Sequence, residues 1–218
     1  MITLPAPATT SRAAPLPQQR FVIRQSSWQT YQTLLKAFED SPVRVTFDRG
    51  ALELLSPSGP HERLKKLLDR LISAAAEELE ISLRSQGSTT FSREELNRGL
   101  EPDECYYIEH EPDVRDRDDV GSDAPPPDLA VEVEVSRTAL DRMGIYADLG
   151  VPEVWRLSGT DLVMLRLDES GSYREVDRSE IFPQIPRSVF TELLDRRFET
   201  TELKLVRDFR RWIQDNIS

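Results

Sequence analysis

The sequence predicts a mixed α/β fold (an α+β mixed sheet) in which helices flank one sheet. Three observations predict it: an apolar stripe of helical period over residues 64–79, several short runs of strand-like alternation, and an order that interleaves helix, strands, helix and strand. The 218 residues, 38% of them hydrophobic, suffice for one domain with a sizeable core. The expected division is a flexible tail over 1–20, a main domain over 21–186 and a helical extension over 187–218 packed on that domain.

A helix over 28–38 follows from Trp28, Tyr31, Leu34, Leu35 and Phe38 at helical spacing. Residues 43–47 alternate apolar with polar, Asp48-Arg49-Gly50 suits a tight turn, and 51–55 return as the second arm of a β-hairpin. Pro60 and Glu62 then mark the first turn of the helix that carries Leu64, Leu67, Leu68, Leu71, Ile72, Ala75 and Leu79. Residues 81–91 read as extended, 93–98 as one helical turn before Gly99, and 105–108 as a strand. The acidic, proline-bearing stretch 109–127 reads as an exposed loop. Beyond it the pattern predicts a strand over 129–135, a helix over 138–149 stopped by Gly150, and a strand over 151–156. A hairpin of 162–167 with 173–176 and two helical pieces within 187–217 complete the chain.

A net charge of −11 argues against general affinity for nucleic acid, so any such contact has to be local. All the basic residues except Lys36, Lys65, Lys66 and Lys204 are arginines, which pair with phosphate or carboxylate but supply no titratable base; an arginine-favouring genome explains the bias equally. Cys105 stands alone, the tail lacks a secretory pattern, and no apolar run nears the roughly 18 residues of a membrane span. A cytoplasmic protein that does not cross a membrane is the expectation.

The chemistry concentrates in one strand. Leu129, Val131, Val133 and Val135 share one face, and Asp128, Ala130, Glu132 and Glu134 the other. Acids two residues apart lie about 6.5–7 Å from each other and repel unless something positive sits with them. A divalent cation would meet that need. Oxygen ligands suit Mg²⁺ or Mn²⁺, whereas zinc would recruit His or Cys, and the chain offers only His61, His110 and Cys105. Asp103 opens the strand 105–108 and would meet Glu132 if that strand pairs beside 129–135. A solvated face of an antiparallel sheet is the bland alternative, but the helix and apolar Val154-Trp155 that follow predict a central strand, where acids are harder to leave unpaired.

Four segments carry a resemblance: Gly50-Ala-Leu-Glu-Leu-Leu-Ser-Pro57, Glu101-Pro-Asp-Glu-Cys-Tyr-Tyr-Ile108, Pro126-Pro-Asp-Leu-Ala-Val-Glu-Val133 and Tyr146-Ala-Asp-Leu-Gly-Val-Pro-Glu-Val-Trp155. In this order they are similar to the Uma-type restriction endonucleases of the PD-(D/E)XK nuclease superfamily, over roughly residues 28–186. The resemblance implies a restriction-endonuclease-like αβββαβ core in which Pro102-Asp103 is the PD element and Glu132-Val133-Glu134 the (D/E)XK element. It further implies a metal-dependent endonuclease acting on DNA, with Mg²⁺ or Mn²⁺ held by Asp103 and Glu132. Glu134 stands where the superfamily has lysine. That leaves Arg142, in the following helix, as a migrated cation, and Glu134 itself as a candidate base.

Asp128 is either a further metal ligand or a cap for the turn after three prolines. Glu53, or Glu77 or Glu78 on the long helix, could add a carboxylate, though surface acids are commoner. His61 could meet substrate phosphate at a helix N-terminus, or simply cap it. His110 carries no expected chemistry, Tyr106 and Tyr107 could stack on bases, and Trp155 belongs in the core. Three functions remain open on the sequence: a DNA endonuclease, a catalytically inactive nuclease-fold protein serving as a partner or accessory module, and a hydrolase of smaller phosphate esters. A homodimer through helices within 193–217 is possible on the pattern.

Overall fold

The protein is described by a computed structural model over residues 18–118, 120, 124–134 and 139–217. Strand β1 (Gln19–Arg24) precedes helix α1 (Trp28–Ala37) and the hairpin of β2 (Arg44–Asp48) and β3 (Ala51–Ser56). Helix α2 (Gly59–Glu78) leads to four short strands, β4 (Arg84–Ser85), β5 (Phe91–Arg93), β6 (Arg98–Leu100) and β7 (Glu104–Tyr107). Then come α3 (Glu111–Val114), β8 (Leu129–Glu134), α4 (Arg142–Leu149), β9 (Glu153–Ser158), β10 (Asp161–Leu167) and β11 (Tyr173–Val176). Helix α5 (Arg187–Asp195), a 3-10 turn (Arg196–Phe198) and α6 (Glu202–Ile217) close the chain.

The helices and strands are the expected mixed α/β set, but they form two sheets rather than one. One sheet is antiparallel in the order β1-β3-β2-β6-β5; the other runs β11-β10-β9-β8-β7-β4. In the second, β8 and β9 pair in parallel across the α4 crossover, and every other pairing is antiparallel. Two features account for the split. β1, which the sequence pattern does not reveal, seals the far edge of the 43–55 hairpin, and after β6 ends at Leu100 the chain passes to the other sheet over 101–103, where Pro102 has no N–H to give a ladder.

Two local expectations are corrected. Residues 94–97 close a β5–β6 hairpin instead of a helical turn, because Asn97 takes the left-handed conformation (φ 54°) and its N–H donates to Glu94 O at 2.9 Å. The 81–91 stretch is mostly irregular, with strand only at 84–85 and at its last residue. The 109–127 segment is more than an exposed loop: it contains α3 and buries Val114 and Val120 against Tyr107. Residues 119, 121–123 and 135–138 lie outside the described residues.

The six-stranded sheet is covered on both faces, which explains why β8 is buried on both. Leu129, Val131 and Val133 pack with Leu67, Leu68, Leu71 and Ile72 of α2 and with Phe190, Leu205 and Phe209 of α5 and α6. Ala130 turns the other way, toward Ile145, Tyr146 and Leu149 of α4. Each fully buried leucine or phenylalanine in these layers contributes about 1.5–3 kcal/mol. Gly150 ends α4 as expected, at φ 81°. Among the described residues no helix is long and apolar enough to cross a membrane.

Gly99 does not stop a helix; it makes room between strands. It lies between Phe47 of β2 and Ser92 of β5, and a Cβ there would press on the buried Tyr31 hydroxyl and come within 2.8 Å of Ser92 Cβ. Gly99→Ala is therefore expected to lower stability by about 1–3 kcal/mol through overpacking, seen as a lower urea midpoint at an unchanged m-value.

Candidate active site

The β7–β8 ladder fixes the central geometry. Glu104 opposes Val131, and one step further the Asp103 N–H donates to Val131 O at 3.1 Å, which sets Asp103 opposite Glu132 on one face. Both are almost wholly buried, at 2% and 6% exposure. Two facing acids in that setting require positive partners, and the structure supplies them from elements distant in sequence.

Asp103 is held from three sides. Arg44 of β2 places Nη1 2.9 Å from Oδ1. His61, in the first turn of α2, donates from Nε2 to Oδ2 at 3.0 Å, and the Val133 N–H donates to the same oxygen at 2.6 Å. Arg44 also donates to Pro102 O at 2.5 Å and to Ser88 Oγ at 3.1 Å, which ties it to the residue before Asp103 and to the 88 segment. His61 is fully buried, and its Nδ1 lies 3.3 Å from Glu62 Oε1.

Glu132 is held from α4. Arg142 and Tyr146 stand one helical turn apart, so both reach β8. Arg142 Nη2 donates to Glu132 Oε1 at 2.5 Å, and the Tyr146 hydroxyl donates to the same oxygen. Arg142 also donates from Nη1 to Thr46 Oγ1 at 2.5 Å and from Nη2 to Glu101 O at 2.8 Å, which joins the two sheets, while its buried Nε has no hydrogen-bond partner among the described residues. Oε2 of Glu132 receives no hydrogen bond among the described residues.

The two carboxyls respond in opposite directions. Burial pushes Asp103 up, but the His61 hydrogen bond, the charges of Arg44 and His61 and the Val133 N–H outweigh it and hold the group below the usual aspartate value. Burial pushes Glu132 up as well; the Arg142 charge pulls it down, the Asp103 charge adds to the rise, and the balance lies above the usual glutamate value. For Arg142, burial disfavours the charge, and Glu132 with Tyr146 and Asp103 overcomes it.

The remaining sequence candidates are placed as follows. Asp128 faces the 108–110 turn, accepting from Ile108 N at 2.6 Å, His110 N at 3.1 Å and His110 Nδ1 at 2.5 Å, and is not brought to Asp103 and Glu132. Its turn-capping alternative is thus the geometry seen, and His110 is its partner. Glu53, 1% exposed on β3, accepts from Arg20 Nη1 and from Ala139 N, both at 3.1 Å, and sits across from Thr46. Glu134 is half-buried at the end of β8, on the Glu132 side. Glu77 and Glu78 pair with Arg210 of α6, away from the site. Tyr106 and Tyr107 are fully buried, their hydroxyls donating to Asp69 Oδ1 and Pro125 O, and so offer no face to a base; Trp155 is in the core.

Arg44, Thr46 and Tyr146 belong to this cluster and are not marked out by the sequence. Tyr146 is legible in principle, since it shares a helix face with Arg142. Arg44 and Thr46 alternate along β2 with Val45 and Phe47, which marks a face but not what lies opposite it. No group of three or more His, Cys, Asp or Glu side chains among the described residues is arranged to hold a metal ion. What the cluster offers a cation is the facing pair Asp103 and Glu132, and Mg²⁺ is commonly held by one or two carboxylates with water completing its shell.

The structure thus sets a Pro-Asp element beside a Glu-X-Glu element within a mixed α/β fold. The chain matches the Uma2 family, described as "Putative restriction endonuclease", over residues 28–194, and it belongs to that family. Among solved structures it is similar to a protein from Anabaena variabilis described as a "putative nuclease belonging to DUF820", at 12% identity and a TM-score of 0.48, covering 76% of this chain and 90% of that one. No curated protein matches it.

Three outcomes follow from the ion pairs. Arg142→Ala leaves a buried carboxylate unpaired and should cost about 3–5 kcal/mol in urea unfolding. Tyr146→Phe, which removes one bond to the same oxygen, should cost about 1.5–3 kcal/mol. Asp103 has a folded value below its unfolded one, so its contribution is complete above the ordinary carboxylate range and fades as pH falls through the lowered value. The penalty of Asp103→Asn should therefore be largest near neutral pH and shrink below about pH 4, measured as the difference in urea midpoints; a penalty that grows with acid contradicts the pairing.

Proposed function

We propose that the chain hydrolyses phosphodiester bonds in DNA with Mg²⁺ or Mn²⁺ held by Asp103 and Glu132. Membership of a restriction endonuclease family supports the reaction class, and the observation that carries the assignment is the buried Asp103–Glu132 pair facing across β7 and β8. The donor chemistry fits a hard divalent ion: both ligands are carboxylates, and Glu132 keeps Oε2 free of hydrogen bonds among the described residues. When bound, the ion would lower the pKa of a water and offset charge building on the phosphate.

The chain's own residues prepare this chemistry. Arg44, His61 and the Val133 N–H keep Asp103 ionised and fix its plane. Arg142 and Tyr146 orient Glu132 through Oε1. With both terminal nitrogens turned to Glu132, Thr46 and Glu101 and its Nε buried, Arg142 acts as a positioning residue for Glu132. His61, expected at the substrate, is likewise a positioning residue for Asp103. Glu134, on the Glu132 side of the strand and partly open to solvent, is the group left to accept a proton from the attacking water where the superfamily has lysine.

A second reading has its own support. Arg44 and Arg142 already neutralise the acids, and no three-ligand group is present among the described residues; both favour a nuclease-fold protein that binds partners without catalysis.

Purified protein should nick supercoiled plasmid with Mg²⁺ or Mn²⁺ and not with EDTA, while Asp103→Asn and Glu132→Gln, checked for folding by circular dichroism, should be inactive. Cleavage that survives both substitutions would remove the mechanism. Glu134→Ala should lower the rate by about 10²–10⁴. Calorimetry separates the two readings: no heat of Mn²⁺ binding to folded protein favours the inactive one.

A further inference from the structure

An acidic chain that acts on a polyanion needs a local surface to hold it, and one stands on the outer face of α2, the helix whose first turn carries His61. On α2, Arg63, Lys66 and Arg70 fall at spacings of three and four, which puts them on one side of the helix. The 3-10 turn after α5 brings Arg197 and Phe198 against the start of that row, with Arg63 Nη2 donating to Arg197 O at 3.5 Å. Four cations gather there against Glu202, which reaches Arg70 at 3.2 Å and Arg63 at 3.9 Å, and Glu199, the residue after Phe198. Among the described residues neither Lys66 nor Arg197 has a carboxylate partner; Arg197 Nη1 donates to Leu194 O.

Phe198 is the second observation. It is 72% exposed, the largest exposure among the big apolar side chains described. Its ring lies 4.4 Å from the Arg197 guanidinium carbon and 5.2 Å from that of Arg63. A phenylalanine kept in solvent by two arginines offers an aromatic face beside planar cations, the combination by which single-stranded nucleic acid is gripped through phosphates and stacked bases. The row from Arg63 to Arg70 spans roughly 10 Å, about three base-pair rises along a duplex axis. It begins two residues after His61, which hydrogen-bonds to Asp103, but on the opposite face of α2, so a strand laid along it nears the carboxylates only around the N-terminal end of that helix.

We propose that Arg63, Lys66, Arg70, Arg197 and Phe198 form a DNA-binding surface, the cations on phosphates and Phe198 on an unpaired base. The choice of DNA rests on the nuclease reading above, but binding can be tested without cleavage. Fluorescence anisotropy of the full chain in EDTA, with labelled single-stranded and duplex oligonucleotides over a salt series, reads it directly. Lys66→Ala and Arg197→Ala should weaken both ligands and each reduce the salt slope by about 1. Phe198→Ala should weaken the single strand by about fivefold to a hundredfold and the duplex far less. Unchanged affinity and slope in all three variants overturn the surface, even if Asp103→Asn abolishes cleavage and so upholds the nuclease. Patch-dependent binding by a protein that never cleaves upholds the surface and removes the nuclease. Wild-type protein that binds neither ligand overturns the surface too. So does a loss of binding that only accompanies a change from dimer to monomer in light scattering, because exposed Phe198 and Leu203 would then be seating a second copy.

Discussion

The architecture of the site depends on burying two carboxylates face to face. In water, like charges at this separation interact weakly; inside a sheet covered on both faces, the same pair is costly unless each member has its own cation. Arg44 and Arg142 are those cations, and each comes from outside the β7–β8 ladder that creates the problem. The constraint is therefore global. A single strand pairing commits β2 of the other sheet, the start of α2 and the whole face of α4 to fixed positions.

That requirement also explains how two sheets can carry one site. Arg142 bridges from Glu132 to Thr46 and to the Glu101 carbonyl, and Arg44 bridges from Asp103 to Pro102 and Ser88. Glu101 adds a third tie, accepting from Val45 N at 2.8 Å and Thr90 Oγ1 at 2.9 Å. The crossover segment 101–103 is thus fixed by hydrogen bonds at Glu101, Pro102 and Asp103 itself. Directional bonds of this kind set an acid's orientation in a way that apolar packing does not, at the cost of removing the charge from water.

Much of the fold is legible in the sequence because periodicity reports burial directly. The α2 stripe, the 43–55 hairpin, the acidic strand and the Gly150 stop all fall within a few residues of their observed limits. What the pattern misses, it misses for identifiable reasons. β1 pairs along a sheet edge with Phe21 and Ile23 exposed, so burial imprints little contrast on it. Residues 94–97 look helical by composition, and only the left-handed Asn97 turns them into a hairpin. Within the site, the facing of Asp103 and Glu132 can be inferred from alternation and strand adjacency. Arg44 cannot, because nothing local to Arg44-Val45-Thr46 says which strand will lie beyond it.

Repulsion between the facing acids demands a positive charge without saying which one. Arginine satisfies the demand in the folded chain, and a divalent ion would be an addition to a pair already neutralised. The two are most readily compatible where each carboxylate divides its oxygens, one toward the protein and one toward the ion. Glu132 meets that condition, with both of its bonds on Oε1. Asp103 does not, since Arg44 takes Oδ1 while His61 and Val133 take Oδ2. Each carboxylate oxygen has two lone pairs, however, and Oδ1 is engaged by Arg44 alone. Oδ1 of Asp103 and Oε2 of Glu132 are therefore the oxygens with capacity left, and Arg44, which shares the first, is the side chain whose hold on Asp103 an incoming cation would have to contest.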